Sequence, residues 1–349
     1  MHRALELGAN HHPHPNPRVG AVIADVDGEI AGQGAHTGTG ADHAEVVALR
    51  HAGTAAQGGT LYVTLEPCTH QGRTPPCIDA IIAAGLSRVV IANKDPDHRV
   101  FGRGIAALEA AGVEVETGLL AAEAEVADPA YFFHRRCGRP RVTLKMAATI
   151  DGQVAAADGS SQWITSEQAR RDAHGLRAES DAVVIGSGSL IGDDPLLTAR
   201  VTSGTAHQPR PVVIAGRHQL LSEARLWSRN PLVIASTPME IPGAEVHVVT
   251  GDGGRPRLDE ALALLGDMGS LEILVEGGPN LAGAMWRAGL VDRFIVYLAS
   301  KVGGGIGIPM LSGSFATVGD ATEMRLVEVR PVGRDLRIEF VREEQCLPE

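Results

Sequence analysis

The stretch TLYVTLEPCTHQGRTPPCIDAIIAAG, residues 60–85, joins a predicted strand to a predicted helix through a loop with a cysteine at each end. Residues 60–67 are apolar and β-branched enough to favour a strand, and residues 77–85 carry apolar residues at helical spacing before a closing glycine. Eight residues separate Cys68 from Cys77. Two thiols held in this way indicate metal ligation in a reducing compartment, with a reversible disulfide as the alternative.

The same alternation of strand and helix patterns continues along the chain. Residues 18–34 predict two strands around an Asp-Gly turn, residues 42–53 a helix, and residues 88–96 another strand. This succession predicts a layered α/β domain over residues 1–138 and a second α/β domain over residues 139–349. The boundary is marked by a basic segment that contains glycine and proline. Five apolar runs of the second half predict strands: DAVVIGSG, RPVVIAG, PLVIAS, LEILVEGG and RFIVYLAS.

The composition indicates a soluble globular protein. Of the 349 residues, 44% are hydrophobic and 21% are charged, which suits sizeable cores. The net charge of −11, with acidic residues in excess in both halves, disfavours nucleic acid as a partner. The N-terminus lacks the apolar core of a signal peptide, and no apolar run approaches ~18 residues, so we expect a cytoplasmic location and no membrane partner. Cys137 and Cys346 are expected to be unpaired thiols.

Three side chains are suited to hold one zinc ion. His43 opens the helix of residues 42–53, Cys68 follows a strand, and Cys77 opens the next helix. Three protein ligands leave a fourth position for water, which marks a catalytic zinc, and zinc lowers the pKa of that water from ~15.7 towards ~7. Glu45, on the same first turn as His43, could reach the water and transfer protons. A fourth protein ligand such as His70 would close the site.

The set of His43, Glu45, Cys68 and Cys77 resembles the zinc deaminase signature, in which the glutamate is not a ligand. The usual cysteine pair is two residues apart, whereas the wide spacing here is similar to that of the bifunctional deaminase/reductases of riboflavin biosynthesis. Further motifs extend the resemblance over nearly the whole chain: HPNPRVGAVI, HAEVVALRHAG, DPDHRVFGRGI, LKMAATIDGQVA, SQWITSEQARRDAHGLRAESDAV, DDPLLTAR and LVEGGPNLAGAM. The stretch NHHPHPNP and residues 201–250 match less well.

This resemblance implies a cytidine-deaminase-like layered α/β domain followed by a dihydrofolate-reductase-like α/β domain. It further implies one zinc ion per chain and NADPH as cofactors. The implied reactions are hydrolytic deamination of 2,5-diamino-6-ribosylamino-4(3H)-pyrimidinone 5′-phosphate and then reduction of its ribosyl group to ribityl. The partner is then a small pyrimidine ribosyl phosphate, and we expect a homo-oligomer, either a dimer or a tetramer.

The resemblance also implies the contacts of the second domain. The cofactor contacts it implies are Ala147, Trp163, Ser189, Asp193, Gly278, Pro279, Asn280, Leu281, Ala282, Gly283 and Ala284. The substrate contacts it implies are Asn16 in the first domain and Ser161, Arg177, Leu197, Arg200 and Glu276 in the second, while His70 is expected to line the deaminase pocket.

The residues of the second domain carry weaker signals by themselves. A Gly-Gly turn before a helix at residues 277–278 can direct amides at phosphate, but it is also an ordinary helix cap. Residues 185–194 read as a second glycine-rich turn. Arg177 and Arg200 suit a phosphate by bidentate pairing, or are solvated surface side chains. Lys145 and Asp151 could position the sugar or the cofactor.

Two other interpretations stay open at this point. A zinc deaminase of another nucleobase or of nucleic acid, with a divergent C-terminal domain, would share the first motif set, although the acidic charge opposes it. A zinc-stabilised scaffold without activity would need a fourth protein ligand and would make Glu45 incidental.

Overall fold

The computed structural model describes residues 1–71, 75–201, 207–313 and 317–342. It divides into two compact units, Met1–Gly138 and a second that begins at Arg139. Gly138, with a φ of 69°, ends the last helix of the first unit in the left-handed conformation that glycine adopts without strain. Among the described residues, no helix combines the length and apolar character needed to cross a bilayer.

The described part of the first unit alternates strands with helices. Its strands are β1 (Gly20–Ala24), β2 (Ile30–Ala35), β3 (Thr60–Leu65), β4 (Arg88–Asn93) and β5 (Glu114–Thr117). Its helices are α1 (His2–Ala9), α2 (Ala44–Ala52), α3 (Cys77–Ala83), α4 (Arg103–Ala110), α5 (Ala121–Ala127) and α6 (Pro129–Cys137). The sheet has the order β2-β1-β3-β4-β5, in which β1 is antiparallel to both neighbours and β3, β4 and β5 are parallel.

Helix α2 lies directly on strand β2 because two glycines leave no side chain between them. A Cβ atom at Gly32 would lie 2.2 Å from the carbonyl oxygen of Ala48, and one at Gly34 would lie 2.4 Å from that of Ala44. Any larger residue would push the helix away from the sheet. The close approach fixes the start of α2, whose N-cap is His43.

The described part of the second unit is built around a sheet of nine strands, with short strands beside it. Its strands are β6 (Arg141–Thr149), β7 (Gln153–Ala155), β8 (Ala182–Gly186), β9 (Arg210–Ile214), β10 (Leu232–Ala235), β11 (Glu245–Val248), β12 (Gly251–Asp252), β13 (Arg255–Pro256), β14 (Glu272–Val275), β15 (Arg293–Ala299), β16 (Ile308–Pro309), β17 (Arg325–Val332) and β18 (Asp335–Val341). Its helices are α7 (Glu167–Glu179), α8 (Ser187–Asp193), α9 (Leu258–Asp267) and α10 (Pro279–Arg287). The sheet order is β11-β10-β9-β8-β14-β6-β15-β18-β17, parallel from β11 to β15 and antiparallel over the last two strands.

Successive residues of the central strands point to opposite faces of this sheet, and both faces are covered. Val183 and Ile185 pack in one core cluster with residues of α7 and α8, whereas Ala182 and Val184 pack in a second cluster with residues of α9 and α10. Burial on both faces explains why the parallel strands appear in the sequence as continuous apolar runs. The five predicted runs are confirmed as β8, β9, β10, β14 and β15.

Two expectations from the sequence are wrong. The predicted glycine-rich turn after β8 is the helix α8, because Leu190 is fully buried and its packing outweighs the low helix propensity of the glycines. Cys137 takes part in a disulfide and is not an unpaired thiol. Cys346 lies outside the described residues, as do residues 72–74 of the cysteine loop.

Candidate functional site

Three element ends in the first unit bring His43, Cys68 and Cys77 together. His43 has extended backbone and caps α2, Cys77 is the first residue of α3, and Cys68 follows the end of β3. The His43 Nδ1 atom lies 2.9 Å from Cys77 Sγ and 3.5 Å from Cys68 Sγ, and the two sulfur atoms are 3.5 Å apart. Cys77 is fully buried. The predicted ligand set therefore converges on one point.

The chemistry of these donor atoms fits zinc. One imidazole nitrogen and two thiol sulfurs are ligands that zinc prefers, and in a tetrahedral site such atoms lie ~3.6–3.8 Å apart. The observed separations of 2.9–3.5 Å are shorter, so the three side chains would have to move apart to accommodate the ion. Hydrogen bonding with the Cys77 thiol, with His43 and with the Cys77 backbone N–H at 3.4 Å lowers the pKa of Cys68. A sulfur that is stabilised as thiolate is the form that binds metal.

Glu45 lies beside this set and is almost completely buried, at 4% exposure. Burial raises the pKa of Glu45 above its ordinary value, against the opposing charge of His43. Glu45 does not belong to the group of donor atoms that could share an ion, among the described residues. It is placed as a proton carrier next to the set and not as a ligand. His70 is exposed and is likewise outside that group.

A buried histidine links Asn16 to the metal-binding set. The His36 Nδ1 atom lies 3.1 Å from the carbonyl oxygen of Asp42, and its Nε2 atom lies 2.9 Å from Asn16 Nδ2. A carbonyl only accepts, so Nδ1 carries the proton, Nε2 accepts from the Asn16 amide, and the Asn16 oxygen is turned elsewhere. The His36 ring also meets the His43 ring edge to face, at 5.3 Å. No spacing pattern in the sequence indicated His36.

Glu66 is a second residue that sequence reasoning missed. Its carboxylate accepts hydrogen bonds from the backbone N–H groups of Gly102 at 3.0 Å, Gly104 at 2.9 Å, Ile105 at 3.3 Å and Asp95 at 3.3 Å. It therefore ties the segment just before Cys68 to the start of α4. The only feature of the sequence that could have indicated a role for Glu66 is its charge, between a predicted strand and a cysteine in LEPC.

In the second unit, predicted substrate-binding residues meet in a buried ion-pair cluster. Arg177 Nε and Nη2 donate to the two carboxylate oxygens of Glu276 at 2.7 and 2.9 Å, and Lys145 Nζ lies 3.9 Å from Glu276. Burial favours the neutral acid, but the Arg177 and Lys145 cations outweigh it and lower the pKa of Glu276 to about 2. Lys145 also lies over the Tyr297 ring, at 5.9 Å.

The turn of residues 196–200 connects to this cluster. The Thr198 carbonyl accepts from Arg177 Nη1 at 3.1 Å and from His174 Nδ1 at 2.9 Å. Leu197, predicted to contact substrate, has a φ of 52° and a side chain in the hydrophobic core, 2% exposed. Any contact of Leu197 with a ligand must therefore use its backbone. Arg200 is exposed.

The predicted cofactor residues fall into different environments. Gly278 caps α10 and donates its N–H to Ser189 Oγ at 3.0 Å, so the starts of α8 and α10 lie together. Ala282 is fully buried in the core, and a Cβ at Gly283 would lie 2.1 Å from the Ser312 carbonyl oxygen. These two positions serve helix packing. Pro279, Leu281 and Ala284 are half-buried on the same helix, Asn280 is exposed on it, and Asp193 is exposed at the end of α8.

The remaining predicted contacts lie on strand β6 and the loop that follows β7. Ala147 is paired with Tyr297 across strands β6 and β15, and Ser161 is exposed. Trp163 is 63% exposed, with the Arg170 guanidinium 4.3 Å from its ring centre. Asp151, which was expected to position the sugar or the cofactor, accepts the N–H groups of Gly303, Gly304 and Gly305 at 2.9, 2.8 and 3.0 Å and so holds that glycine loop.

Comparison with known proteins matches both halves of the chain to known families. Residues 140–338 match the family described as RibD C-terminal domain, and residues 1–93 match the cytidine and deoxycytidylate deaminase zinc-binding region. The riboflavin biosynthesis protein RibD of Escherichia coli is 40% identical, with 98% of each chain covered, and that of Mycobacterium tuberculosis H37Rv is 40% identical over 94% of this chain and 91% of the relative.

Solved structures resemble the whole chain as well. A structure of Acinetobacter baumannii RibD has a TM-score of 0.91 at 33% identity, covering 99% of this chain and 98% of the other. A Thermotoga maritima protein has a TM-score of 0.88 at 31% identity, covering 98% of this chain and 97% of the other. Its name is diaminohydroxyphosphoribosylaminopyrimidine deaminase/5-amino-6-(5-phosphoribosylamino)uracil reductase.

Proposed function

The chain belongs to the RibD family of riboflavin biosynthesis proteins, and on this premise we propose which of its residues carry each reaction. It is a bifunctional enzyme with a zinc-dependent deaminase and an NADPH-dependent reductase. The fold class, both activities and both cofactors expected from the sequence are thereby confirmed. The division of the reactions between residues 1–138 and 139–349 and the roles of individual residues are our proposal.

In the deaminase, His43, Cys68 and Cys77 would hold the zinc ion, which when bound activates water for attack on the ring carbon that carries the 2-amino group. Glu45 takes a proton from the attacking water and delivers protons to the ring nitrogen and to the departing amine, so that ammonia leaves and an oxo group remains. The Asn16 oxygen, turned away from His36, is a hydrogen-bond acceptor for the pyrimidine.

In the reductase, bound NADPH would supply the hydride for C1′ of the ribosylamino group in its ring-opened imine form, whose nitrogen gains a proton to give the ribityl amine. Ser189 and Gly278, where α8 and α10 begin, support binding of the cofactor phosphates there. Arg200 is the better candidate of the two predicted arginines for the substrate phosphate, because the charge of Arg177 is already paired with the Glu276 carboxylate. If Arg177 contacts the substrate as predicted, it does so while it is paired with Glu276.

One observation carries the proposal for the first unit. A histidine nitrogen and two cysteine sulfurs lie within 3.5 Å of one another beside a buried glutamate that is not part of the group. A structural zinc site would close the set with a fourth protein ligand. The described residues contribute only these three donors to this group, which favours catalysis over a scaffold role.

The substrate is a small molecule of the riboflavin pathway. The net charge of −11 supports the further proposal that nucleic acid is not a partner. Exposed Leu326, Val327 and Val329 on edge strand β17 support assembly into a homo-oligomer. A cytoplasmic location, where NADPH is available, is part of the same proposal.

The proposal is tested by incubating the purified zinc-loaded protein with the diaminopyrimidinone ribosyl phosphate, with and without NADPH. Without NADPH, mass spectrometry should show exchange of one amino group for oxygen and release of ammonia. With NADPH, the same product should gain one hydride and one proton. Reduction without prior deamination, or no ammonia in either reaction, would contradict the proposal.

A further inference from the structure

His174, on α7, faces the side chain that the proposed function assigns to the substrate phosphate. Its Nε2 atom accepts hydrogen bonds from Arg200 Nε at 3.1 Å and Arg200 Nη2 at 2.9 Å. On the other edge of the ring, Nδ1 lies 2.9 Å from the Thr198 carbonyl oxygen. The imidazole therefore bridges the backbone of the turn and the guanidinium two residues further along.

The two contacts determine the protonation state of the ring. A carbonyl oxygen only accepts, so Nδ1 carries a proton, and a guanidinium only donates, so Nε2 must offer its lone pair. Only the neutral Nδ1–H tautomer satisfies both contacts. Burial and the Arg177 and Arg200 charges lower the pKa of His174, against the opposing effects of Thr198 and Glu276, and so favour this neutral state.

The backbone around Arg200 is fixed independently of His174. Gln208 exchanges two hydrogen bonds with Ala199, at 3.1 and 2.8 Å, and Arg177 also donates to the Thr198 carbonyl. These contacts hold the turn but not the exposed side chain of Arg200. Among the described residues, His174 is the partner that the structure gives to the Arg200 guanidinium.

We propose that His174 is a positioning residue of the reductase, which holds one edge of the Arg200 guanidinium so that its remaining N–H groups face the phosphate of the substrate. This inference rests on the proposed function, because Arg200 is assigned to the phosphate there. A long exposed arginine loses conformational freedom when it binds a ligand, and holding it beforehand reduces that cost. Removing the Nε2 acceptor should therefore weaken substrate binding and leave the hydride step intact.

Replacing His174 by glutamine or by asparagine tests the two contacts of the imidazole one at a time. Glutamine places an acceptor oxygen near the position of Nε2 and can keep the contact with Arg200. Asparagine places a donor near the position of Nδ1, and so keeps the contact with Thr198 but loses the acceptor. A role limited to holding the Thr198 backbone would be preserved in His174→Asn and lost in His174→Gln, which is the opposite of what positioning of Arg200 requires.

The experiment measures KM and kcat of the reductase on pre-deaminated substrate for the wild type, His174→Asn, His174→Gln, Arg200→Ala and the double variant His174→Asn/Arg200→Ala. We expect Arg200→Ala to raise KM by about 10-fold or more, as for loss of a charge-assisted hydrogen bond, and His174→Asn to raise it about 5-fold. His174→Gln should stay close to the wild type, and kcat should change little in either His174 variant. The double variant should be no worse than Arg200→Ala, because the two residues act through one contact.

The outcomes separate failure of this inference from failure of the proposed function. If Arg200→Ala leaves KM unchanged, the assignment of Arg200 to the phosphate is wrong, and the inference is overturned with it. If Arg200→Ala raises KM but His174→Asn does not, the proposed function stands and the inference is overturned. Equal losses in His174→Asn and His174→Gln, or a loss in His174→Gln alone, would also overturn it in favour of a structural role.

Discussion

Replacing Glu276 by glutamine is expected to destabilise the second unit by about 3 kcal/mol at pH 7. Both oxygens of Glu276 accept from Arg177, and the side chains of the pair are only 10% and 16% exposed. Burial alone would raise the pKa of Glu276, but Arg177 and Lys145 lower it from an ordinary value of 4.5 to about 2. That difference in pKa corresponds to the stated free energy. Glutamine keeps the shape of the side chain and removes the charge that Arg177 needs.

The pH dependence follows from the direction of the shift. A carboxyl group with a lower pKa in the folded chain stabilises the fold above its unfolded pKa, near 4.5, and this stabilisation is lost as pH falls towards about 2. The difference in unfolding free energy between wild type and Glu276→Gln should therefore be full at pH 7 and shrink below pH ~4.5.

Tryptophan fluorescence during urea unfolding measures this effect in the second unit alone. Trp163, Trp227 and Trp286 are the three tryptophans of the chain, and all lie after residue 139. Glu167→Gln is the matched control, because Glu167 pairs with Arg171 on the surface, where both side chains are more than half exposed, and should cost less than about 0.5 kcal/mol. A Glu276→Gln effect no larger than that of the control, or one that is the same at every pH, would refute the reasoning.

Two further predictions concern the cofactors. The purified protein should contain about one zinc ion per chain, which Cys68→Ser and Cys77→Ser should lose and His70→Ala should keep; zinc retained in both cysteine variants by metal analysis would contradict the assigned ligands. The reductase should use NADPH with higher catalytic efficiency than NADH, and steady-state kinetics showing equal efficiency would contradict the cofactor preference.

The sequence predicted the parallel strands well but missed the hairpin of β17 and β18. Parallel strands covered on both faces are apolar throughout, so their pattern is clear. In the hairpin, Glu339 is buried and Arg337 is half-buried. Glu339 accepts from Arg337 and also from Arg293 Nε and Nη2, at 2.7 and 2.8 Å. Such charges read as solvent-facing in the sequence, because the partner that neutralises them lies 46 residues away.

The chemistry-bearing residues of the first unit could be predicted because their types and order are restrictive. Few kinds of functional site combine a histidine, a glutamate and two cysteines at the ends of helices and strands. The residues around them could not be predicted, because His36 and Glu66 make their contacts with segments that only the fold brings near. Leu197 is a different case. The family resemblance predicted that it contacts the substrate, whereas its side chain lies in the core.

We propose that two separate sets of residues in one chain carry the two reactions. The most direct test of this division measures both activities on the same preparation of Glu45→Gln. We predict that the variant keeps its zinc and its thermal stability, and that deamination falls by roughly 10²–10⁴-fold, as expected for loss of a positioned general acid–base. Reduction of pre-deaminated substrate should continue at nearly the wild-type rate. Unchanged deamination, or an equal fall of both activities with zinc and stability intact, would contradict this division of the two reactions.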